Sequence, residues 1–274
     1  MNFRKTDWQA EGIEYHNIQK EKVLDNNILF YSVVGSSFLE STVGFITQNL
    51  ITFYRDDEEV RSWLHMIWDP EEMNHGRAMK YYVQSVWPDY DWEAAYASFY
   101  EEYSRFCQLE LLRPTKALEM LARCMTETEA AMYYRAASAY CPEPILKDLL
   151  MKMYRDEVKH YKHFLQYFKR FNMTERNGLW RLSKTMLKRN TIVAEEDIDI
   201  TFRHIHVGWK KTTPFEPLSS DTLGKAMTAI SKEYFPYDVA RRMLFKPLET
   251  ESRWRNLIVK GLEFHVTRRI PGFA

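Results

Sequence analysis

The chain has 274 residues, and its 38 Lys and Arg side chains balance 38 Asp and Glu side chains. This zero formal charge gives no overall attraction to nucleic acid or to an acidic membrane surface. Only nine glycines and no low-complexity linker predict one large helical domain over residues 1–274. Because no run of about 18 apolar residues and no secretion signal is found, we expect a cytoplasmic protein without a membrane span.

Helical patterns fill most of the chain after an irregular lead-in over residues 1–25. Polar or proline-containing breaks, such as the turn around Asp56 and Cys141-Pro142, divide these patterns. The sequence predicts an all-α fold with a bundle core at about 27–171, a connecting helix, and a C-terminal helical extension at about 174–274. In chain order, we expect helices at about 27–54, 57–86, 91–110, 115–140, 143–171, 193–210, 219–245 and 252–268.

Two Glu-x-x-His elements stand out, one from Glu72 to His75 and one from Glu157 to His160. Residues three apart on a helix share one face, so each pair can bind one cation or flank two. Each pair has a glutamate upstream, on what is predicted to be the preceding long helix: Glu40 and Glu127. Two such pairs and two single glutamates are the ligand set of a dinuclear carboxylate site in a four-helix bundle.

The spacing around the turns supports this interpretation. Glu40 and Glu72 each lie sixteen residues from Asp56. Glu127 and Glu157 each lie fifteen residues from Pro142. Because each helical residue advances the axis by about 1.5 Å, equal distances from a turn place two residues of an antiparallel pair at one height. The four carboxylates are therefore predicted to converge at one level.

A single Glu-x-x-His element is most often part of a solvated helix face, so the surroundings matter. Val33, Ser37, Val43 and Gly44 give Glu40 an apolar or small-residue face, on which an ionised glutamate costs several kcal/mol unless it is compensated. Carboxylates with two imidazoles and no thiolate suit iron or manganese better than structural zinc. The three cysteines lack CxxC spacing and indicate a reducing compartment.

Further candidate residues flank the ligands. Asp156, one residue before Glu157, is predicted to accept the free N–H of a metal-bound histidine. For Glu71, one residue before Glu72, that role and a surface position are equally supported. On the third long helix, turn symmetry favours Glu127 as the ligand, whereas Glu129 heads a Met125–Met132 stripe, so Glu129 is the alternative.

The motif EEMNHG after Trp68, and RDEVKH in the helix that begins with EPIL, resemble the two metal-binding motifs of the soluble acyl-carrier-protein desaturases. These are ferritin-like diiron enzymes of fatty acid metabolism, and the resemblance covers residues 27–171 approximately. It implies a ferritin-like four-helix bundle, two Fe ions, an external electron donor such as ferredoxin, and a homodimer. It also implies Glu40 and Glu127 as single carboxylate ligands, Glu72 and Glu157 as bridging ligands, and His75 and His160 as imidazole ligands.

The substrate remains open at this stage, because the tail beyond about residue 190 resembles nothing specific. An acyl-chain desaturase is the first expectation. A diiron hydroxylase, a small-molecule N-oxygenase and a non-enzymatic iron-binding protein are the alternatives.

The stretch from Lys159 to Arg189 contains nine Lys and Arg residues against one acid, Glu175. A basic helical face of this kind can receive the acidic surface of an acyl carrier protein. We take Lys184, Lys188 and Arg189 as the candidate docking residues, and we expect Trp180 and Phe171 to pack rather than to recognise a partner. A solvated charged face is the alternative interpretation.

Overall fold

The computed structural model describes residues 5–210, 216–249, 256–257 and 259–261, with backbone alone over 188–198. These residues form helices and no strands, which confirms the prediction of an all-α chain. The helices are α1 (Asn27–Ser41), α2 (Val43–Phe53), α3 (Glu58–Trp63), α4 (Asp69–Val86), α5 (Trp92–Tyr103), α6 (Lys116–Tyr140), α7 (Pro144–Glu175), α8 (Leu179–Ile205), α9 (Ser220–Tyr234) and α10 (Tyr237–Phe245).

Shorter helical pieces connect these helices. A π-helical segment, Leu64–Trp68, joins α3 to α4. Turns of 3-10 helix lie at Ala10–Gly12, Tyr15–Asn17, Lys20–Lys22, Ser104–Phe106, Leu109–Leu111, His206–Gly208 and Lys246–Leu248.

Side-chain caps fix where several helices begin. Asn26, Asp57, Asp91 and Thr115 each accept a hydrogen bond from the backbone N–H three residues later. Such a cap contributes about 1 kcal/mol to helix stability. Glu143 caps α7 in the same way, with Pro144 in the first turn, where its missing N–H costs no hydrogen bond. The breaks seen in the sequence are therefore true helix boundaries.

Several predicted boundaries are wrong, each for a local reason. The predicted helix at 193–210 begins earlier, at Leu179 directly after Gly178, and ends at Ile205. The predicted helix at 219–245 is divided at Phe235, because a residue before proline is driven to extended backbone. The predicted helices at 27–54 and 57–86 are interrupted at Thr42 and by the π-helical segment. The predicted helix at 252–268 lies almost entirely outside the described residues.

Two helix pairs build the centre of the molecule. α6 and α7 pack along most of their lengths, and α1 packs on α4. Buried apolar side chains form two clusters, one containing Phe30, Phe38 and Tyr82 and the other containing Trp63 and Phe164. Burial of each such aromatic side chain stabilises the fold by roughly 1.5–3 kcal/mol. The two clusters hold the four long helices around a buried polar layer.

One stretch of the described chain, Asn27–Phe53, is long and apolar enough to cross a membrane by length and composition. Of the window that passes this test, 67% is buried inside the protein, and core helices of soluble proteins pass the same test. The expectation of no membrane span therefore stays a prediction.

Gly76 allows α1 and α4 to approach closely at the level of the polar layer. A Cβ at Gly76 would lie 2.8 Å from the backbone nitrogen of Ser41 and 2.6 Å from its hydroxyl. Gly76→Ala is therefore expected to lower the free energy of unfolding by about 1–3 kcal/mol through overpacking. Urea denaturation of the two proteins measures the change.

Gly44→Ala is the matched control, since a Cβ at Gly44 meets no heavy atom within 4 Å. Gly44 lies inside α2, where alanine is the better helix former by about 1 kcal/mol. This control is expected to be neutral or stabilising. Equal losses of stability in both variants would show that close helix approach at Gly76 is not required.

Candidate metal centre

The structure brings all six predicted ligands together in the buried polar layer between α1, α4, α6 and α7. They form two overlapping groups, and within each group the potential ligand atoms lie within 4.8 Å of one another. All six are at most 7% exposed. The residues of the first group are Glu40, Glu72, His75 and Glu157, and those of the second are Glu72, Glu127, Glu157 and His160.

Glu72 and Glu157 belong to both groups because each points one oxygen at each histidine. Glu72 places Oε2 3.6 Å from His75 Nδ1 and Oε1 3.0 Å from His160 Nδ1. Glu157 places Oε1 3.3 Å from His75 Nδ1 and Oε2 3.4 Å from His160 Nδ1. Ligands held at about 2.1 Å from one small divalent cation lie about 3 Å apart at right angles. This geometry would allow each of the two carboxylates to bridge two cations, one beside each histidine.

The single glutamates complete the two groups from the other helix of each pair. Glu40 Oε2 lies 3.8 Å from His75 Nδ1, and Glu127 Oε2 lies 3.6 Å from His160 Nδ1. Tyr134 donates a hydrogen bond to Oε1 of Glu40. Each cation would therefore receive one histidine, one single glutamate and one oxygen from each bridging glutamate.

Each histidine is oriented by a carboxylate from the opposite Glu-x-x-His helix. Asp156 on α7 lies 3.4 Å from His75 Nε2, and Glu71 on α4 lies 2.8 Å from His160 Nε2. An Nε2–H that donates to a carboxylate leaves Nδ1 with a lone pair for a metal. Asp156 thus lies where it was predicted, and Glu71 takes the same position on the other side rather than a surface position.

Two buried atoms at the centre lack any hydrogen-bond partner among the described residues: His75 Nδ1 and Glu157 Oε1. Buried polar groups are rarely left without a partner, because the loss costs about 1–3 kcal/mol. The two atoms lie 3.3 Å apart but are not aligned for a hydrogen bond with each other. A cation bound between them would satisfy both, so the residues present fit a divalent metal.

Burial and mutual charge shift the titration of these groups. Burial, followed by the charge of Glu72, raises the pKa of Glu40 well above its ordinary value, and burial also raises the pKa of Glu127. Burial is the largest influence on the pKa of His160 and lowers it. The charge of Glu72, together with hydrogen bonds to Glu127, Glu157 and Glu71, outweighs burial, so the net pKa is raised. The cluster therefore retains protons that a divalent cation displaces, so metal binding is expected to release protons.

Trp8 and Thr6 in the N-terminal lead-in cover the centre, and sequence reasoning missed both. Thr6 Oγ1 and Trp8 Nε1 donate to Asp156 Oδ2 at 3.0 and 2.8 Å. The Trp8 ring also stacks on His75, with centroids 5.7 Å apart. The backbone N–H of Thr6 donates to Glu71. No periodic pattern marks this segment, so only the presence of a tryptophan could have drawn attention to it.

Cys124, one turn before Glu127, is a buried free thiol whose pKa is raised by burial and then by the charge of Glu127.

The residues predicted for the docking face lie away from the two ligand groups. Lys184 is exposed on α8, while the side chains of Lys188 and Arg189 lie outside the described residues. The prediction that Trp180 packs is wrong, since it is 83% exposed. Phe171 does pack, with its ring 5.5 Å from that of Tyr54.

The third-helix ligand can be tested directly, because Glu127 lies within the second group and Glu129 is exposed. Glu127→Ala is expected to remove the ion beside His160 and to leave the one beside His75. Glu129→Ala serves as the control and should retain both ions. Metal analysis after dialysis should therefore find one ion per chain in Glu127→Ala and two ions per chain in Glu129→Ala. The reverse result would assign the ligand to Glu129.

Comparison of the chain with protein-family models, curated proteins and solved structures gives no match. The metal centre therefore rests on the residues and their geometry alone.

Proposed function

We propose that this chain is an O2-dependent diiron oxidase built on a ferritin-like four-helix bundle. The observation that carries the proposal is the position of Glu72 and Glu157, each with one oxygen toward His75 and the other toward His160. The carboxylate-rich donor set with two imidazoles suits iron, and manganese is the second choice. The reaction we propose is oxidation of an unactivated substrate carbon, as in the acyl-carrier-protein desaturases.

Two ferrous ions at this centre would supply the reduction of O2 that such an oxidation requires. The six ligand residues would hold the ions in place, and aromatic side chains around them exclude water. The stacked Trp8 ring covers His75, and Trp63 packs edge-on to His160 with centroids 6.4 Å apart. A dry site strengthens each electrostatic interaction and limits side reactions with water.

Three further proposals accompany this one. An external electron donor such as ferredoxin and a homodimeric state follow from the resemblance to the desaturases, and a cytoplasmic location follows from the sequence composition. Reduction of the iron-loaded protein by ferredoxin and a ferredoxin reductase tests the first of these. Sedimentation of the purified chain tests the second.

The proposed activity is tested with iron-reconstituted protein, reductant and O2. We expect O2 consumption that depends on an organic substrate, together with a product carrying a new double bond. If the product is hydroxylated or N-oxidised, the protein is still a diiron oxidase, but its reaction is not a desaturation. If each chain binds many irons and O2 consumption does not depend on a substrate, the oxidase proposal is wrong and iron storage is the better interpretation.

The candidate docking face on α8 combines positive charge with exposed apolar groups. Trp180 and Leu187 are 83% and 68% exposed, and Lys184 lies between them at helical spacing. An acidic helix with apolar anchors, such as that of an acyl carrier protein, complements this surface. The outward orientation of Trp180 supports a partner at this face.

Replacing Lys184, Lys188 and Arg189 together by glutamate is expected to slow turnover of carrier-linked substrate about tenfold or more at low salt. The reason is that charges outside a site mainly change the rate of encounter, and salt screens them. Metal content and O2 consumption with a small soluble substrate should not change. Turnover of carrier-linked substrate that is insensitive to both the triple replacement and salt would show that this face is only a solvated surface.

A further inference from the structure

An apolar cavity of about 280 Å³ lies between α1, α6, α9 and α10. Its walls are mainly aliphatic and aromatic, and the polar residues Ser32, Thr128, Glu129 and Ser231 complete the lining. The apolar lining includes Leu29, Met132, Ala136, Met227, Ile230 and Leu244. Two of the four walls, α9 and α10, belong to the C-terminal extension. The part of this extension that the structure describes contributes no residue to the candidate metal centre.

Helix α6 carries residues of both the cavity and the candidate metal centre. Thr128 lines the cavity and directly follows the ligand Glu127. Tyr133 also lines it, and the next residue, Tyr134, donates its hydroxyl hydrogen to Glu40. The two tyrosine rings are 5.4 Å apart. The cavity is therefore lined by the two helices that supply the single glutamates, and none of its described lining residues belongs to α4 or α7, which carry the histidines.

Tyr133 also closes the gap between the two helices at this level. Its hydroxyl donates to the backbone oxygen of Ser32 on α1 at 3.1 Å. Both residues line the cavity. A molecule in the cavity is thus held between α1 and α6, the two helices that supply Glu40 and Glu127.

The volume limits what can bind. A water-sized group occupies roughly 30 Å³, so a cavity of about 280 Å³ holds about nine such groups. We propose that this cavity binds the substrate, and that the substrate is a compact apolar molecule, or the apolar end of a larger one, of about nine or ten heavy atoms. Its role in oxidation rests on the proposed function, whereas binding does not require the metals. A sixteen-carbon chain would extend beyond these walls.

Binding of straight-chain alcohols from butanol to tetradecanol to the metal-free protein tests the size limit, with isothermal calorimetry as the readout. Each methylene that enters the cavity should improve the affinity about fourfold. The gain should stop near nine carbons. A steady gain through tetradecanol, or no binding by any alcohol, would overturn the proposal.

Two variants should move that limit in opposite directions. Met227→Ala enlarges the cavity and should raise the limit by about two or three carbons, and Ala136→Leu fills it and should lower the limit by a similar number. Met173→Ala is the matched control, because Met173 is 74% exposed on α7 and does not line the cavity. A limit that is unchanged in both cavity variants, with thermal melting showing folded proteins, would contradict the assignment.

The size limit and the oxidase proposal can fail separately. Suppose that the alcohols bind with the expected size limit but the iron-loaded protein consumes no O2. The cavity would then still be a ligand site, and the oxidase proposal would be wrong. Substrate-dependent O2 consumption without a size limit would retain the oxidase and reject this cavity as the substrate site.

Discussion

Replacing Glu72 by alanine is expected to abolish binding of both metal ions. Its two carboxylate oxygens serve different histidines, at 3.6 Å from His75 and 3.0 Å from His160, so its removal damages both groups. The metal content measured after reconstitution and dialysis should therefore fall from two ions per chain to none. Circular dichroism of the same samples checks that the helices remain.

Glu40→Ala is the matched comparison for this result. Glu40 belongs to the group around His75 and is absent from the group around His160. Its removal should leave one ion per chain. If Glu72→Ala also retained one ion, Glu72 would be a ligand of a single site, and the bridging geometry would be incorrect.

Asp156→Ala is expected to weaken binding of the ion beside His75 by about 10–100-fold, the usual effect of losing a carboxylate that orients a metal-binding histidine. Asp156 is buried and interacts with His75, Thr6 and Trp8. Its loss should also release the N-terminal segment. A metal titration measures the first effect, and hydrogen exchange of residues 5–12 measures the second.

Lys159→Ala provides the control for Asp156→Ala. The Lys159 ammonium lies 2.7 Å from Asp156, but the side chain is 46% exposed. Because the lysine end of this pair is exposed to solvent, its loss is expected to cost about 0–1 kcal/mol, so metal affinity should change less than tenfold. Equal effects of the two replacements would show that Asp156 acts through its ion pair and not by orienting His75.

The convergence of the six candidate ligand side chains could be predicted from the sequence because helical geometry is regular. Three-residue spacing places Glu72 with His75, and Glu157 with His160, on one helix face. Equal distances from a turn bring the two helices of a pair into register. This register predicts that Glu40 lies near Glu72 and that Glu127 lies near Glu157. The interruption at Thr42 and the π-helical segment Leu64–Trp68 do not move Glu40 away from His75.

The parts that sequence reasoning missed depend on contacts between distant residues. Trp8 reaches Asp156 across 148 positions of the chain, from a segment of 3-10 turns without periodicity. Glu71 on α4 contacts His160 on α7, and Asp156 on α7 contacts His75 on α4. Predicting these two contacts would require knowing how α4 and α7 face each other. The exposure of Trp180 was missed because an aromatic residue at helical spacing fits a buried face equally well.

The most direct test of the metal centre is anomalous diffraction from crystals of iron-reconstituted protein, with data collected on both sides of the iron absorption edge. We predict two peaks per chain about 3.5–4 Å apart. One peak should adjoin His75 and the other His160, with Glu72 and Glu157 between them. A single peak, or peaks away from these residues, would contradict the dinuclear centre.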